Sequence, residues 1–298
     1  MKQYYKRGIA DRYDGWRAKN VDGVYALIPF IMRTRLDSQN FFEDALPLER
    51  MEAFIRKHKE EMPELTLMHV FMAAMVRLIS QRPYLNRFVV YNKIYARNSI
   101  TISLAIKRKE SGTETVVKPE FEPEDTLRDV VDKVSSVLDD NLSETKKNSA
   151  DNISALFLKF PAFVTRFLVW VFYKLDSVGW LPKSIHSASP WHTSVFLTNM
   201  GSLGINPIYH HLYEFGTCSL FLAIGNKQRI QSVSPEGNPH VRRSIGIKFV
   251  TDERICDGQY YATSMKMLRK MLLNPEVLLT PPDEVRIDDG VRNKRLAT

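Results

Sequence analysis

The chain has 298 residues, 44% of them apolar and 11% aromatic, and 42 Lys and Arg against 34 Asp and Glu give it a formal charge of +8. That apolar content builds a real core and excludes a chain disordered throughout; the length suits about two average domains, or one large one with additions. The positive balance fits an anionic partner, but the basic residues are dispersed and form no nucleic-acid-binding stripe or module; the mild excesses at the ends (Lys2, Lys6, Arg7; Arg292, Lys294, Arg295) read as solvated tails.

Residues 1–24 read as a polar arm without the apolar core of a secretory signal. YALIPFIMRTRLD (25–37) follows, and its residue types predict a strand. Pro47 opens an amphipathic helix with Leu48, Met51, Phe54, Ile55 and His58 on one face, and Thr66 caps a more apolar helix ending before Pro83. FVVYNKIYA (88–96) and ITISLAIK (100–107) are β-rich, and Asp125 or Thr126 caps a third helix, TLRDVVDKVSSVLDD. In the second half, SVFLTN (194–199), CSLFLAIG (218–225) and SIGIKFV (244–250) read as strands, with a turn at SPEGNP (234–239). A last helix follows Asp257 and Gly258 and runs to about Asn274. Strands and helices mixed without strict alternation predict an α+β fold, a mixed sheet with helices on one side.

LFLKFPAFVTRFLVWVFYKLD (156–176) stands apart. Its charges, Lys159, Arg166 and Lys174, are spaced so that a helix carries one narrow polar stripe on an otherwise apolar surface. A membrane span needs roughly 20 largely uncharged residues, which this segment lacks. It is either a helix packed into the protein or a subunit interface, or a membrane-surface or acyl-chain-binding helix anchored by Phe163, Phe167 and Trp170.

Standard catalytic signatures are missing: no P-loop, nucleophile elbow or H-E-x-x-H occurs, and G-S-L-G at 201–204 is a turn. Cys218 and Cys256 form no disulfide framework and have no metal-ligand spacing, which points to a reducing, cytoplasmic setting without a metal centre. Cys256 is a candidate nucleophile only against the simpler reading of a small buried residue. His58 and His69 fall on helices as face or core residues, and His192 and His240 carry no distinguishing context.

Two stretches rise above this background: SVFLTNMGSLG (194–204), a strand ending in Thr-Asn-Met-Gly, and TDERICDGQYYATSMKMLRKMLLNPEVLL (251–279), a strand end, an Asp-Gly turn and a helix. Together with IPF (28–30), PYLNRF (83–88) and NPEVLL (274–279), the chain resembles the catalytic domain of 2-oxo acid dehydrogenase acyltransferases and chloramphenicol acetyltransferase. In that family a strand ends in Ser/Thr-Asn-x-Gly, and Asp-His-Arg-x-x-Asp-Gly precedes the last helix. The resemblance covers roughly 25–285. It implies an N-terminal arm (1–24), one acyltransferase-like domain enlarged at 150–190, and a tail (286–298).

The resemblance also implies a two-layer fold, a homotrimer, and active sites between subunits. A His on one subunit takes the proton of coenzyme A or dihydrolipoamide, and a Ser/Thr hydroxyl of the next subunit hydrogen-bonds the oxyanion. The hydroxyl maps to Thr198 and the motif's Asp to Asp257, while Arg254 pairs with a carboxylate to hold the turn. The family's lipoyl and subunit-binding domains have no room in the 24 residues upstream. The expected co-substrate is therefore free coenzyme A, or a lipoyl arm from another chain, with no permanently bound cofactor.

The sequence departs from the family at the base, which is Glu253 here. A thiol near 8.5 losing its proton to a carboxyl near 4.3 is uphill by roughly 5.7 kcal/mol, against roughly 2.7 for an imidazole near 6.5. Glu253 is thus either a replacement base, tuned upward by burial, or the mark of a catalytically inactive member that binds an acyl-CoA or a dehydrogenase-complex subunit. His210 and His211, in YHHLYEFG, either supply the missing imidazole or hydrogen-bond locally in a turn.

Overall fold

The computed structural model describes residues 7–107, 114–142, 159–233 and 237–291. Lys2, Lys6, Arg292, Lys294 and Arg295, the stretch 150–158 and residues 234–236 of the expected turn lie outside the described residues.

Three short strands form a small sheet: β1 (Gly15–Arg17), β3 (Arg87–Val90) and β4 (Lys93–Arg97), in the order β1-β4-β3. The β3–β4 hairpin turns on Tyr91 and Asn92, both at positive φ (47° and 56°), the pairing whose twist suits a two-residue connection. The main sheet contains β2 (Gln39–Pro47), β5 (Ile100–Lys107), β6 (Glu114–Val117), β8 (Val195–Asn199), β9 (Leu220–Val233) and β10 (Pro239–Asp252), ordered β2-β10-β9-β8-β5-β6; β7 (Glu120–Phe121) also pairs with β5. β8 runs parallel to both of its neighbours and the other pairs are antiparallel, so the sheet is mixed, as the sequence led us to expect.

Helices cover one face. α2 (Glu49–Lys57) buries Met51 and Phe54, and α3 (Leu67–Gln81) is buried almost all round. α4 (Leu127–Leu142) and α7 (Gly258–Leu273) complete the layer, and Phe71, Met75, Val130, Met265 and Leu268 share one core with Leu197, Leu222, Ile247 and Phe249 of the sheet. A helix apolar on every side has to run through the interior, which is where α3 lies. Thr66 caps it in a reciprocal box with His69, and Thr126 and Asp129 cap α4, matching the sequence reading. The opposite face of the sheet carries a smaller cluster, Phe196, Leu212, Cys218, Phe221 and Val250.

Two local expectations are corrected. Residues 25–37 are not a strand: Gly23–Ile31 form a helix, α1, capped by the Asp22 carboxylate accepting from the Val24 N–H at 3.2 Å. The segment lies off the sheet, and a β-prone composition only reports suitability for a pleated, half-buried surface. The sheet edge is taken instead by β2, whose polar residues hid its alternation, with Phe42 packed on the core and Phe41 exposed. Pro47 closes that strand, and α2 begins two residues later.

The arm and the chain end are packed where described. Arg87 pairs with Asp288 at 2.6 Å through Nε and Nη2, and the Gly290 carbonyl accepts from the Lys19 and Asn20 N–H groups. Helix α5 (Ala162–Ser177) is followed by the short α6 (Lys183–Ala188). A buried polar knot ties both to the arm. The Arg12 Nε–Asp14 contact is 2.7 Å and Arg12 Nη2–Asp176 2.6 Å, while His192 and His186 lie 3.2 Å from Asp176 and Asp14 respectively. The Lys118 ammonium donates to the carbonyls of Ser189 (2.8 Å) and His186 (3.0 Å). Burial pushes Lys118 down to about 8 and His186 to about 4. Burial also opposes ionisation of Asp14 and Asp176, yet the neighbouring His and Arg12 hold Asp14 well below the usual carboxylate range and lower Asp176 as well.

Candidate functional site

The motif at the start of α7 folds as a braced turn. Asp252 is buried at the end of β10, and Arg254 grips its carboxylate with two hydrogen bonds, Nε to Oδ1 at 2.8 Å and Nη2 to Oδ2 at 2.7 Å. Arg35 approaches the same carboxylate at 3.5 Å, and Arg254 Nη1 donates to the Met32 and Arg33 carbonyls at 3.3 Å. The carboxylate partner expected for Arg254 is thus its neighbour but one, and the planar guanidinium fork is what allows both oxygens to be held. Asp257 caps α7, its Oδ1 accepting from the Tyr260 N–H at 2.6 Å, where a carboxylate also meets the positive end of the helix dipole. Cys256 is buried, and burial beside Asp257 pushes its thiol up to about 12, so it is a packed thiol and not a thiolate nucleophile.

Glu253 sits between these braces. Its N–H donates to the Ser38 carbonyl at 2.7 Å, and its half-buried carboxylate makes no hydrogen bond or ion pair among the described residues. A recess of about 210 Å³ opens beside the turn, between Arg254–Asp257, Tyr25 at the start of α1, and Tyr84.

Thr198 lies at the end of β8. Side chains alternate along a strand, so Thr198 shares a face with Phe196 and, through the β8–β9 register, with Ala223 opposite it. That is the face away from the helices. The side chain is 7% exposed, and its hydroxyl makes no hydrogen bond among the described residues. The rest of the motif shapes the strand exit: Asn199 Oδ1 accepts from the Ser202 N–H at 3.2 Å, and a Cβ on Gly201 would meet the Gly225 carbonyl at 2.5 Å. A side chain at 201 would therefore push β8 off β9. On the helix side of this exit a cavity of about 550 Å³ lies between Thr66–Phe71 of α3, Asn199–Ser202 and Ile224–Lys227.

A chain segment, 205–216, lies over the free face next to Thr198. Pro207 occupies a hollow that a side chain at Gly225 would fill. Tyr209 packs on Phe41 and lies over Lys248, and its hydroxyl donates to Glu43 at 3.2 Å. The His210 ring stacks on Phe221 at 4.4 Å, and Phe221 stacks in turn on Phe196. Burial, then the proximity of His211, lowers the His210 pKa, and its Nε2 is buried without a hydrogen-bond partner. His211 is exposed and edges against Tyr213.

Within one chain the structure groups Glu253, Arg254 and Asp257, and places Thr198 and His210 on the same face of the sheet without a contact between them among the described residues. It does not bring Thr198 to Glu253. Thr251 pairs with Leu220 while Thr198 pairs with Ala223. Three residues along the sheet and two strand spacings across it put roughly 14 Å between the Thr198 and Thr251 backbones, and Glu253 lies two residues beyond Thr251. Asp252 and Arg35 are the parts of this site that the sequence reading passed over; the acid–x–Arg spacing of Asp252-Glu253-Arg254 was the signal for the first, and no local pattern marks the second. Among the described residues no group of three or more His, Cys, Asp or Glu is placed to hold a metal ion.

No family model matches the sequence, and no curated protein matches it. Solved structures do match its fold, and they define it as that of the acyltransferase catalytic cores. The chain is similar to a probable dihydrolipoamide acetyltransferase from Listeria monocytogenes, with 14% identity over 85% of this chain and 92% of that one and a TM-score of 0.54. It is similar to the dihydrolipoamide acetyltransferase of Azotobacter vinelandii, whose catalytic mechanism has been investigated through a serine, a histidine and an asparagine, at 12% identity over 86% and 89% with a TM-score of 0.56. A chloramphenicol acetyltransferase aligns at 11% identity over 91% of this chain and all of that one, with a TM-score of 0.53. The expected α+β fold with a mixed sheet under a helical layer is the fold observed.

Proposed function

We propose that this protein moves acyl groups between a thiol carrier, coenzyme A or dihydrolipoamide, and an acceptor, and that it works as a trimer in which Thr198 of one protomer faces the 252–257 turn of the next. One observation carries the reading: on an acyltransferase fold, the Thr198 hydroxyl and the Glu253 carboxylate make no hydrogen bond among the described residues, while the Asp252, Arg254 and Asp257 side chains that shape the turn are bonded. The separation within one protomer is why a second copy is required.

In this mechanism the base at 253 accepts the proton of the attacking thiol. The thiolate adds to the acyl carbonyl, and the negative charge that develops on its oxygen receives the Thr198 O–H hydrogen bond. The tetrahedral intermediate then collapses, expelling the other carrier, which takes up the proton. Arg254, Asp252 and Asp257 hold the turn and touch no reacting atom; they are positioning residues.

His210 offers a second arrangement for the base, since it is neutral and shares the sheet face of Thr198. An inactive, acyl-CoA-binding protein is the reading that the carboxyl at 253 favours on proton-transfer grounds. Transfer from acetyl-CoA to a thiol panel, including dihydrolipoamide, tests all three in the wild type, Thr198→Ala, Glu253→Gln and His210→Asn. Loss in the first two variants supports the leading reading and loss in His210→Asn supports the second base; a silent wild type that still binds acetyl-CoA supports the inactive protein. Activity equal to wild type in both Thr198→Ala and Glu253→Gln rejects the role assignments.

A further inference from the structure

Helix α5 is turned the unexpected way for a soluble surface helix. Its fully buried side chain is the polar Asp176, whereas Phe163, Phe167 and Trp170, which recur at helical spacing on one stripe, are 75%, 59% and 55% exposed. Trp180, just beyond the helix, is 76% exposed. The helix is therefore not packed into the protein by this stripe. It is fixed through Asp176, held by Arg12 and His192 in the buried knot, and by Tyr173 against Phe215, so the aromatic stripe is presented on a rigid base. No helix among the described residues is long and apolar enough to cross a membrane.

The exposed charges carried by this segment have one sign. Between residues 159 and 185 the exposed ionic side chains are Lys159, Arg166, Lys174 and Lys183, and the single acid, Asp176, is buried and paired. Lys174 lies over the Trp170 ring at 5.9 Å, inside the stripe and not behind it. One exposed acid, Glu214 on the adjoining segment, lies near the Tyr173 end of the helix, where its carboxylate accepts from the Leu36 N–H at 2.9 Å. Exposed aromatic rings interleaved with long cationic side chains are complementary to an interface that is apolar below and anionic above: the rings enter the acyl–headgroup boundary while Lys and Arg extend to the phosphates.

We infer that α5, with Trp180, is a peripheral docking surface for an anionic lipid bilayer. The inference stands apart from the acyl-transfer reading, since it uses none of the residues assigned there.

The test is co-sedimentation of the full-length protein with phosphatidylcholine vesicles, with and without phosphatidylglycerol, for the wild type, Trp170→Glu, Phe163→Asp and the double variant Arg166→Gln/Lys174→Gln. Circular dichroism and light scattering report the folding and oligomeric state of each. The expected result is pelleting with the anionic vesicles only and its loss in Trp170→Glu. The double variant is expected to bind roughly 25-fold more weakly, since each cation removed costs about fivefold in partitioning. No pelleting of the wild type, or equal pelleting of the wild type and the folded variants, overturns the inference. So does a drop in oligomeric state in Trp170→Glu or Phe163→Asp when the wild type shows no vesicle binding; the stripe is then a contact between copies of this chain.

Discussion

Replacing Glu253 by His puts the question of the base to the molecule directly. The position tolerates an imidazole: the side chain is half-buried, its carboxylate has no hydrogen bond or ion pair among the described residues to lose, and the turn is held by the Asp252–Arg254 pair and the Asp257 cap on either side. A thiol near 8.5 gives its proton to an imidazole near 6.5 at a cost of roughly 2.7 kcal/mol, against roughly 5.7 for an ordinary carboxyl. The difference of about 3 kcal/mol corresponds to an increase of roughly a hundredfold in the rate of a step limited by that transfer. The assay is acetyl transfer from acetyl-CoA to dihydrolipoamide between pH 5 and 9. The variant's rate falls as pH drops through about 6.5, where the imidazole protonates. A Glu253→His protein that is folded yet no faster than wild type, with no inflection near 6.5, refutes the placement of a base at 253.

Removing the Thr198 hydroxyl in Thr198→Ala takes away an oxyanion donor and lowers kcat by about a hundredfold with little change in KM, read from initial rates. Asp257→Ala deletes the α7 cap and costs about 1 kcal/mol by urea denaturation, a loss far smaller than that from Arg12→Met, which strands two buried carboxylates and costs about 3–5 kcal/mol. Stability falls on acidification. His186 is held near 4 in the folded protein against about 6.5 when unfolded, so the unfolded chain takes the proton first and stability drops by roughly 3 kcal/mol between those values. Asp14 and Asp176, held lower still, add their loss only below about pH 4. Urea unfolding of the wild type and His186→Gln at pH 7 and 4.5 checks this, the variant showing the smaller drop.

Much of the architecture was written locally. Thr66 with His69, Asp257 with the Tyr260 N–H, and the apolar runs of β5, β8, β9 and β10 each depend on residues a few positions apart, so spacing alone exposes them. The Thr-Asn-Met-Gly and Asp-Glu-Arg-Ile-Cys-Asp-Gly stretches could be singled out for the same reason: their caps and pairings close within about four residues. Two features could not be read this way. The segment at 23–31 has the residue types of a strand yet forms a helix, and the edge strand at 39–47 shows no clear alternation, because which segment reaches the free edge of β10 is decided by the rest of the sheet. The outward face of α5 was equally hidden, since it is set by Asp176 meeting Arg12, a residue 164 positions away. Periodicity reveals that a helix has an apolar stripe, but only long-range packing decides whether that stripe faces the core or the outside.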